Sequence, residues 1–451
     1  MRQFIWTAII AVMFGTACSA EQEKKAEPTY FSAQFTVADS VDQTGDYSGF
    51  RILVFNRANA SAAADTVFYG VTDTTGFVEG VFTLESEGAF PAQITRNGVN
   101  LGSFRLLLAW GDTVKVEGEF PDLESTYTVD SKEARAMKKY ERVNSGHLRA
   151  ERFIIAGQVA DSLIPVELQK WVDLYWGVHN DQKGTFASKF ALESMVDLLN
   201  RYDQAQMFEK LNQSFDEELA FGLAITRGKE YVASREGLDA TVAYLDSVKS
   251  LTREESIHRA IEKSIIKLHY DSAQVEEARE LFSDYESEYI KEGEEAPFWY
   301  KNMRFELNYL APGMALPAFE IETTAGDTVS NESMMGTAYV LEFTLMANQL
   351  YQQQYDEATV IYQLYNPQGL EYLTIPFDQS TNTIIAFFQE RDRFWELAEP
   401  PSFNKQDFVE DFNVQYFPTR ILVDKQGNIV RKFVGEEFDD MIPAITRTLT
   451  N

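Results

Sequence analysis

Residues 416–430 read Tyr416-Phe417-Pro418-Thr419-Arg420-Ile421-Leu422-Val423-Asp424-Lys425-Gln426-Gly427-Asn428-Ile429-Val430. The order is a proline, an apolar β-rich run, a polar turn ending in glycine, and a second β-rich run, which together predict a strand–turn–strand. Upstream, Leu370-Glu371-Tyr372-Leu373-Thr374-Ile375-Pro376 and Ala338-Tyr339-Val340-Leu341-Glu342-Phe343 have the length and composition of buried strands. Between and after them, Gln349 to Tyr365, Thr381 to Trp395 and Asp439 to Leu449 are expected to be helical. Leu316 to Ile321 reads as a further strand, and Ala311-Pro312-Gly313 breaks the chain ahead of it. Strands alternating with helices and closing on a hairpin predict an α/β sheet covered on both faces.

The 451 residues exceed one ordinary core, and 45% apolar with 13% aromatic content fills several. Seventy Asp and Glu against 40 Lys and Arg give a net charge of −30, which repels phosphate backbones and argues against nucleic-acid binding. One cysteine and four histidines exclude a disulfide scaffold, a Cys-rich zinc site and intramolecular dithiol chemistry. No metal or other cofactor is expected.

At the N-terminus, Arg2 precedes an apolar stretch from Phe4 to Ala17 of signal-peptide length. It ends in Gly15-Thr16-Ala17-Cys18, which resembles the bacterial lipobox and implies lipidation of Cys18. Gly15 departs from the usual leucine, and cleavage after Ala20 without lipid is the alternative reading. Glu21 to Pro28 reads as a tether.

From Tyr30 to Val129 short β-rich runs alternate with turns. Asp73-Thr74-Thr75-Gly76 and Gly111-Asp112 are expected to close hairpins of an antiparallel sandwich or barrel. From Ser131 to Tyr309 the apolar spacing is helical, with interruptions that predict seven or eight helices. His258 and His269 share one predicted helix but lie about 16 Å apart along it, too far for one metal. Trp171, Tyr175, Trp176, Trp299 and Tyr300 are read as core rather than as a ligand groove, and Gln352-Gln353-Gln354 as a solvated helix face.

Residues 311–451 resemble the thioredoxin-like domains of the TlpA/ResA and peroxiredoxin-related kind. The resemblance is carried by Ala311-Pro312-Gly313-Met314-Ala315-Leu316-Pro317-Ala318-Phe319, by Tyr339-Val340-Leu341-Glu342-Phe343, and most strongly by 416–430. It implies that Pro418 is the family's cis-proline, flanked by groove residues Phe417 and Thr419. The overall expectation is a multidomain α+β chain. Residues 1–20 form a signal peptide and 21–29 a tether. An N-terminal antiparallel β-sandwich at 30–130, a helical middle region at 131–310 and a C-terminal thioredoxin-like α/β domain at 311–451 follow.

Active relatives carry Cys-x-x-Cys at a helix N-terminus, where the dipole and free N–H groups lower the first thiol's pKa and the second cysteine resolves the mixed disulfide. Aligned on the strand, those positions hold Asn348 and Tyr351, and the only cysteine is Cys18. No catalytic residue is therefore expected. The reading is an envelope-anchored lipoprotein, outer-membrane and facing periplasm or surface, with a redox-inactive thioredoxin-like domain that binds a protein or peptide partner. Two alternatives are a thiol-disulfide oxidoreductase or peroxiredoxin-related enzyme, and an accessory protein of nutrient uptake.

Overall fold

The structure is a computed structural model that describes residues 27–41, 43–56, 65–291, 293 and 295–450. Cys18 and most of the tether lie outside the described residues. The chain divides into two compact units, Met1–Ala220 and Phe221–Asn451.

The first unit opens with eight strands: β1 (Thr29–Val37), β2 (Arg51–Asn56), β3 (Asp65–Val71), β4 (Phe77–Phe82), β5 (Gly88–Arg96), β6 (Val99–Leu108), β7 (Thr113–Phe120) and β8 (Thr128–Asp130). They form two four-stranded sheets, ordered β4-β1-β7-β8 and β3-β2-β5-β6. Alternation buries one side of each strand, so that Phe31, Ala33 and Phe35 of the first sheet share a core with Ile52, Val54, Phe90 and Leu106 of the second.

Two expectations fail here. The sandwich is not wholly antiparallel, because β1 and β7 pair in parallel. The chain between them passes through the other sheet and returns in the same direction. Nor do Asp73–Gly76 and Gly111-Asp112 close hairpins. Each hands the chain from one sheet to the other, since β3 and β6 belong to the second sheet while β4 and β7 belong to the first. The turn chemistry itself is present: Asp73 Oδ1 accepts from the N–H groups of Thr75 and Phe77. Gly76 sits at φ +83°, where a Cβ would also collide with the Phe35 carbonyl oxygen.

A short helix, α1 (Leu123–Thr126), precedes the helical stretch, which holds ten α-helices among the described residues rather than seven or eight. They are α2 (Lys132–Ile155), α3 (Ile164–Asp181), α4 (Phe186–Tyr202), α5 (Gln204–Asn212), α6 (Glu218–Leu223), α7 (Lys229–Glu236), α8 (Leu238–Lys249), α9 (Glu255–Asp271), α10 (Val275–Tyr289) and α11 (Phe298–Tyr309). The higher number arises because single residues suffice as breaks. Asp203 alone separates α4 from α5, and Gly237, at φ +84°, separates α7 from α8.

Trp171 and Tyr175 are core residues. Tyr175 contacts His147, whose Nδ1 lies 3.0 Å from the tyrosine hydroxyl and whose Nε2 has no partner among the described residues. His179 is also buried, with Nδ1 3.0 Å from Ser188 Oγ and Nε2 unpartnered among the described residues. Burial pulls both imidazoles below their ordinary 6.5. Below that value the unfolded chain binds protons that the native histidines resist. Stability is therefore full above about pH 6.5 and is lost as pH falls toward the lowered native values. The melting temperature of the first unit is expected to drop between pH 7.5 and 5.5, and His147→Gln with His179→Gln should flatten that dependence. A pH profile unchanged by the double substitution would show that other groups carry it.

The second unit carries α7–α11 and then β9 (Glu320–Glu322), β10 (Thr328–Ser330), β11 (Ala338–Thr344), α12 (Gln349–Tyr365), β12 (Leu370–Pro376), α13 (Thr381–Gln389), β13 (Glu396–Leu397), α14 (Lys405–Asp411), β14 (Thr419–Val423), β15 (Ile429–Val434) and α15 (Met441–Thr450). The main sheet runs β13-β12-β11-β14-β15. β11, β12 and β13 are parallel, whereas β14 and β15 are antiparallel to their neighbours. Tyr351, Tyr355, Ile361, Phe387 and Met441 pack on one face, and Leu316, Phe319, Phe408 and Phe412 on the other.

The strand expected at 316–321 shrinks to Glu320–Glu322, because Leu316 N–H is drawn instead to the Gly427 carbonyl. The helix expected to reach Trp395 stops at Gln389. Beyond it the Asp392 carbonyl accepts from Tyr355 Oη at 2.7 Å, and Trp395 turns inward to donate to Thr374 Oγ1 at 2.8 Å.

Candidate functional site

β11 ends at Thr344, and a short loop leads to Asn348, the N-cap of α12. Asn348 Oδ1 accepts from Tyr351 N–H at 3.0 Å, which satisfies one of the open donors of the first turn. Its Nδ2 donates at 3.1 Å to the carbonyl of Phe417. The Phe417–Pro418 peptide is cis. One amide thus caps the helix and ties its first turn to the loop before β14, bringing Asn348, Tyr351, Phe417 and Pro418 together. An amide in that place accepts and donates hydrogen bonds but has no nucleophilic atom comparable to a thiolate.

Tyr351 lies beneath this junction, wholly buried and stacked on Phe387 with centroids 5.6 Å apart. Its hydroxyl has no hydrogen-bond partner among the described residues. Burial, and then the nearby Glu342 carboxylate, raise the phenol far above its ordinary range, so it stays protonated. Phe417 is half-buried against Phe377, with ring centroids 5.0 Å apart. Thr419 is buried, and its Oγ1 donates to the Tyr416 carbonyl at 2.7 Å.

Sequence reasoning missed what lies below. Glu342 and Arg420 face each other in the β11–β14 register, and Thr374 stands opposite Glu342 on β12. Arg420 Nε donates to Glu342 Oε1 at 2.7 Å, Thr374 Oγ1 donates to Oε2 at 2.7 Å, and both charged side chains are about 1% exposed or less. Arg420 Nη1 donates to Gln354 Oε1 at 2.8 Å, and the guanidinium sits 4.6 Å from the Phe438 ring centroid. This corrects the reading of the Gln run. Gln352 and Gln353 are exposed, but Gln354 falls three positions after Tyr351 on the same inward helix face and is buried. The available signal was a pair of opposite charges, each inside an otherwise apolar strand.

A cavity of about 310 Å³ opens on the other side of the loop, lined by Trp299, Asn302, Met303, Tyr416, Thr419 and Val434. Trp299 is therefore a wall residue as well as a core one. Paired charges form its floor: Lys432 Nζ lies 2.5 Å from Glu306 Oε1, and Lys267 Nζ 3.0 Å from Glu437 Oε1.

His258 and His269 do lie on one helix, α9, but serve different local bonds, to the Thr252 carbonyl and to the Gln274 amide oxygen. Among the described residues no group of three His, Cys, Asp or Glu is placed to hold a metal ion, and no helix is long and apolar enough to cross a membrane.

No family model matches the chain. It is 21% identical over 139 residues to the thiol-disulfide oxidoreductase ResA of Bacillus cereus, covering 31% of this chain and 78% of that protein. Among the solved structures that align with it are two of similar coverage. One, described as the thiol:disulfide interchange protein DsbE of Chlorobium tepidum, is 19% identical over 31% of this chain and 97% of its own, with a TM-score of 0.28. The other, the thioredoxin domain of a thiol-disulfide oxidoreductase of Bacteroides vulgatus, is 20% identical over 31% of this chain and 99% of its own, also with a TM-score of 0.28. Over about 31% of its length, the chain is similar to thioredoxin-like thiol-disulfide oxidoreductases.

Proposed function

We propose that this chain is an envelope lipoprotein, anchored through Cys18, whose thioredoxin-like portion has exchanged thiol chemistry for binding. In this reading Asn348 and Tyr351 stand where the oxidoreductases carry their two cysteines, and the loop at Phe417-Pro418-Thr419 borders a surface for an extended polypeptide of a partner protein. The observation that carries the reading is the Asn348 clamp. The residue at the helix N-terminus spends its amide on the Tyr351 N–H and the Phe417 carbonyl, and so fixes the loop rather than attacking a disulfide. The cysteine content supports it, because the only thiol lies 330 positions earlier, at Cys18. A disulfide exchange cycle needs a thiolate at the site, and a peroxide cycle needs at least one.

The full chain and its Cys18→Ser variant test both halves of the proposal. Neither should reduce insulin disulfides or hydrogen peroxide above a boiled control. In the native host the variant should move from the membrane pellet to the soluble fraction. Turnover by either protein would defeat the binding reading, and a variant that stays in the pellet after a high-salt wash would defeat the anchor.

A further inference from the structure

We infer that the cavity between α11 and the loop 415–419 is a side-chain pocket that takes one aromatic residue of an extended polypeptide lying along that loop. The inference rests on the proposed binding function and supplies its selectivity. One wall of the pocket, Trp299, Asn302 and Met303, comes from a helix that precedes the thioredoxin-like stretch. The opposite wall is Tyr416, Thr419 and Val434, next to the cis peptide.

Three observations define the occupant. The backbone N–H groups of Gln415, Tyr416 and Phe417 make no hydrogen bond among the described residues. Three consecutive open donors on an irregular segment suit the carbonyls of an extended chain. The walls are mostly apolar, and a volume of about 310 Å³ falls at the lower end of the range for small-ligand sites, enough for a ring but not for a folded element. The floor carries three carboxylates and two ammoniums, all ion-paired: Lys432 with Glu306, Lys267 with both Asp271 and Glu437, and Asp271 also 3.8 Å from Arg431. No lining charge therefore stands without a counter-charge, and the carboxylate excess disfavours an anion. A neutral ring fits that floor, and the Trp299 indole N–H and Asn302 side-chain amide, which make no hydrogen bond among the described residues, remain to contact the segment carrying it. The chain's charge of −30 further favours a segment with basic residues around its aromatic anchor.

The test uses the full chain and two synthetic 15-residue peptides, unstructured and Gly-, Ser- and Lys-rich, differing only in a central Phe or Ala. The Phe peptide is expected to bind at least tenfold more tightly. Asn302→Trp, which fills the pocket from a half-buried position, should abolish that advantage without lowering the melting temperature. Trp299→Ala, which removes a wall, should reduce it as well and gives the reading if the first variant does not fold. Equal binding of the two peptides to the parent protein overturns the pocket and leaves the binding surface standing. A Phe advantage that survives both substitutions also overturns it, by placing the selectivity elsewhere. Absence of any peptide binding removes both the pocket and the proposed function. Binding to a glycan array that Asn302→Trp abolishes would replace the polypeptide by a sugar.

Discussion

Glu342→Ala is expected to destabilise the second unit by about 3–5 kcal/mol, because it strands the Arg420 guanidinium in a buried site without a counter-charge. The guanidinium would keep its bond to Gln354 and its contact with Phe438, and neither supplies a negative charge. Thr374 would also lose the acceptor for its hydroxyl. Replacing the pair together, Glu342→Leu with Arg420→Met, should recover most of the loss, since two apolar side chains avoid the desolvation that the ions must overcome. Chemical unfolding of the single and double variants checks this. A single variant within about 1 kcal/mol of the parent would show that the pair does not hold the sheet, a threshold set well below the usual cost of breaking such a pair.

A second large effect is expected at Glu306. This α11 side chain accepts from Lys432 Nζ at 2.5 Å, from Asn413 Nδ2 at 2.8 Å and from Tyr270 Oη at 3.0 Å. Glu306→Ala takes the counter-charge from Lys432 and the acceptor from Asn413 Nδ2, while Tyr270 Oη keeps the Leu310 carbonyl and Lys432 Nζ those of Phe412 and Asn413. It should cost about 3 kcal/mol, the lower end for breaking a buried pair. Burial already pulls the Lys432 ammonium below its ordinary 10.5, and Glu306 is the strongest influence holding it up. Removing the carboxylate deepens that depression. Between the lowered native value and 10.5 the unfolded chain then binds the extra proton, so stability rises with pH in that window. The variant should regain part of its loss between pH 8 and 10. Glu306→Gln, which keeps an acceptor but not the charge, should fall between the two. A loss that does not depend on pH would mean that packing, not the ion pair, is at stake.

What the sequence disclosed depended on whether the information was local. α12 runs from Gln349 to Tyr365 and β12 from Leu370 to Pro376, as their composition predicts, because helical spacing and a short apolar run are written in consecutive residues. The turns at Asp73–Gly76 and Gly111-Asp112 were visible, but their destination was not. The same side-chain chemistry closes a hairpin or passes the chain between sheets, and only the packing of distant strands decides which. Asn97-Gly98, with φ +53° and +80°, does close the β5–β6 hairpin, and its signal went unread although it is among the strongest short-range ones. The Glu342–Arg420 pair was illegible for a related reason. Each residue alone looks like a polar interruption of a strand, and their meeting depends on the register of β11 against β14, 78 residues apart.

The parallel pairing of β1 with β7 constrains when the first unit can form. β1 lies inside its sheet, with β4 on one side and β7 on the other. The first of the described strands to leave a ribosome therefore waits for the last long strand of this unit, and its hydrogen bonds to Thr113–Phe120 cannot close until residues 38–112 have passed. Until then its apolar face, Phe31, Ala33 and Phe35, has no finished sheet to cover it. Such non-local closure makes for slow folding. Over that interval the open face of β1 is exposed to aggregation.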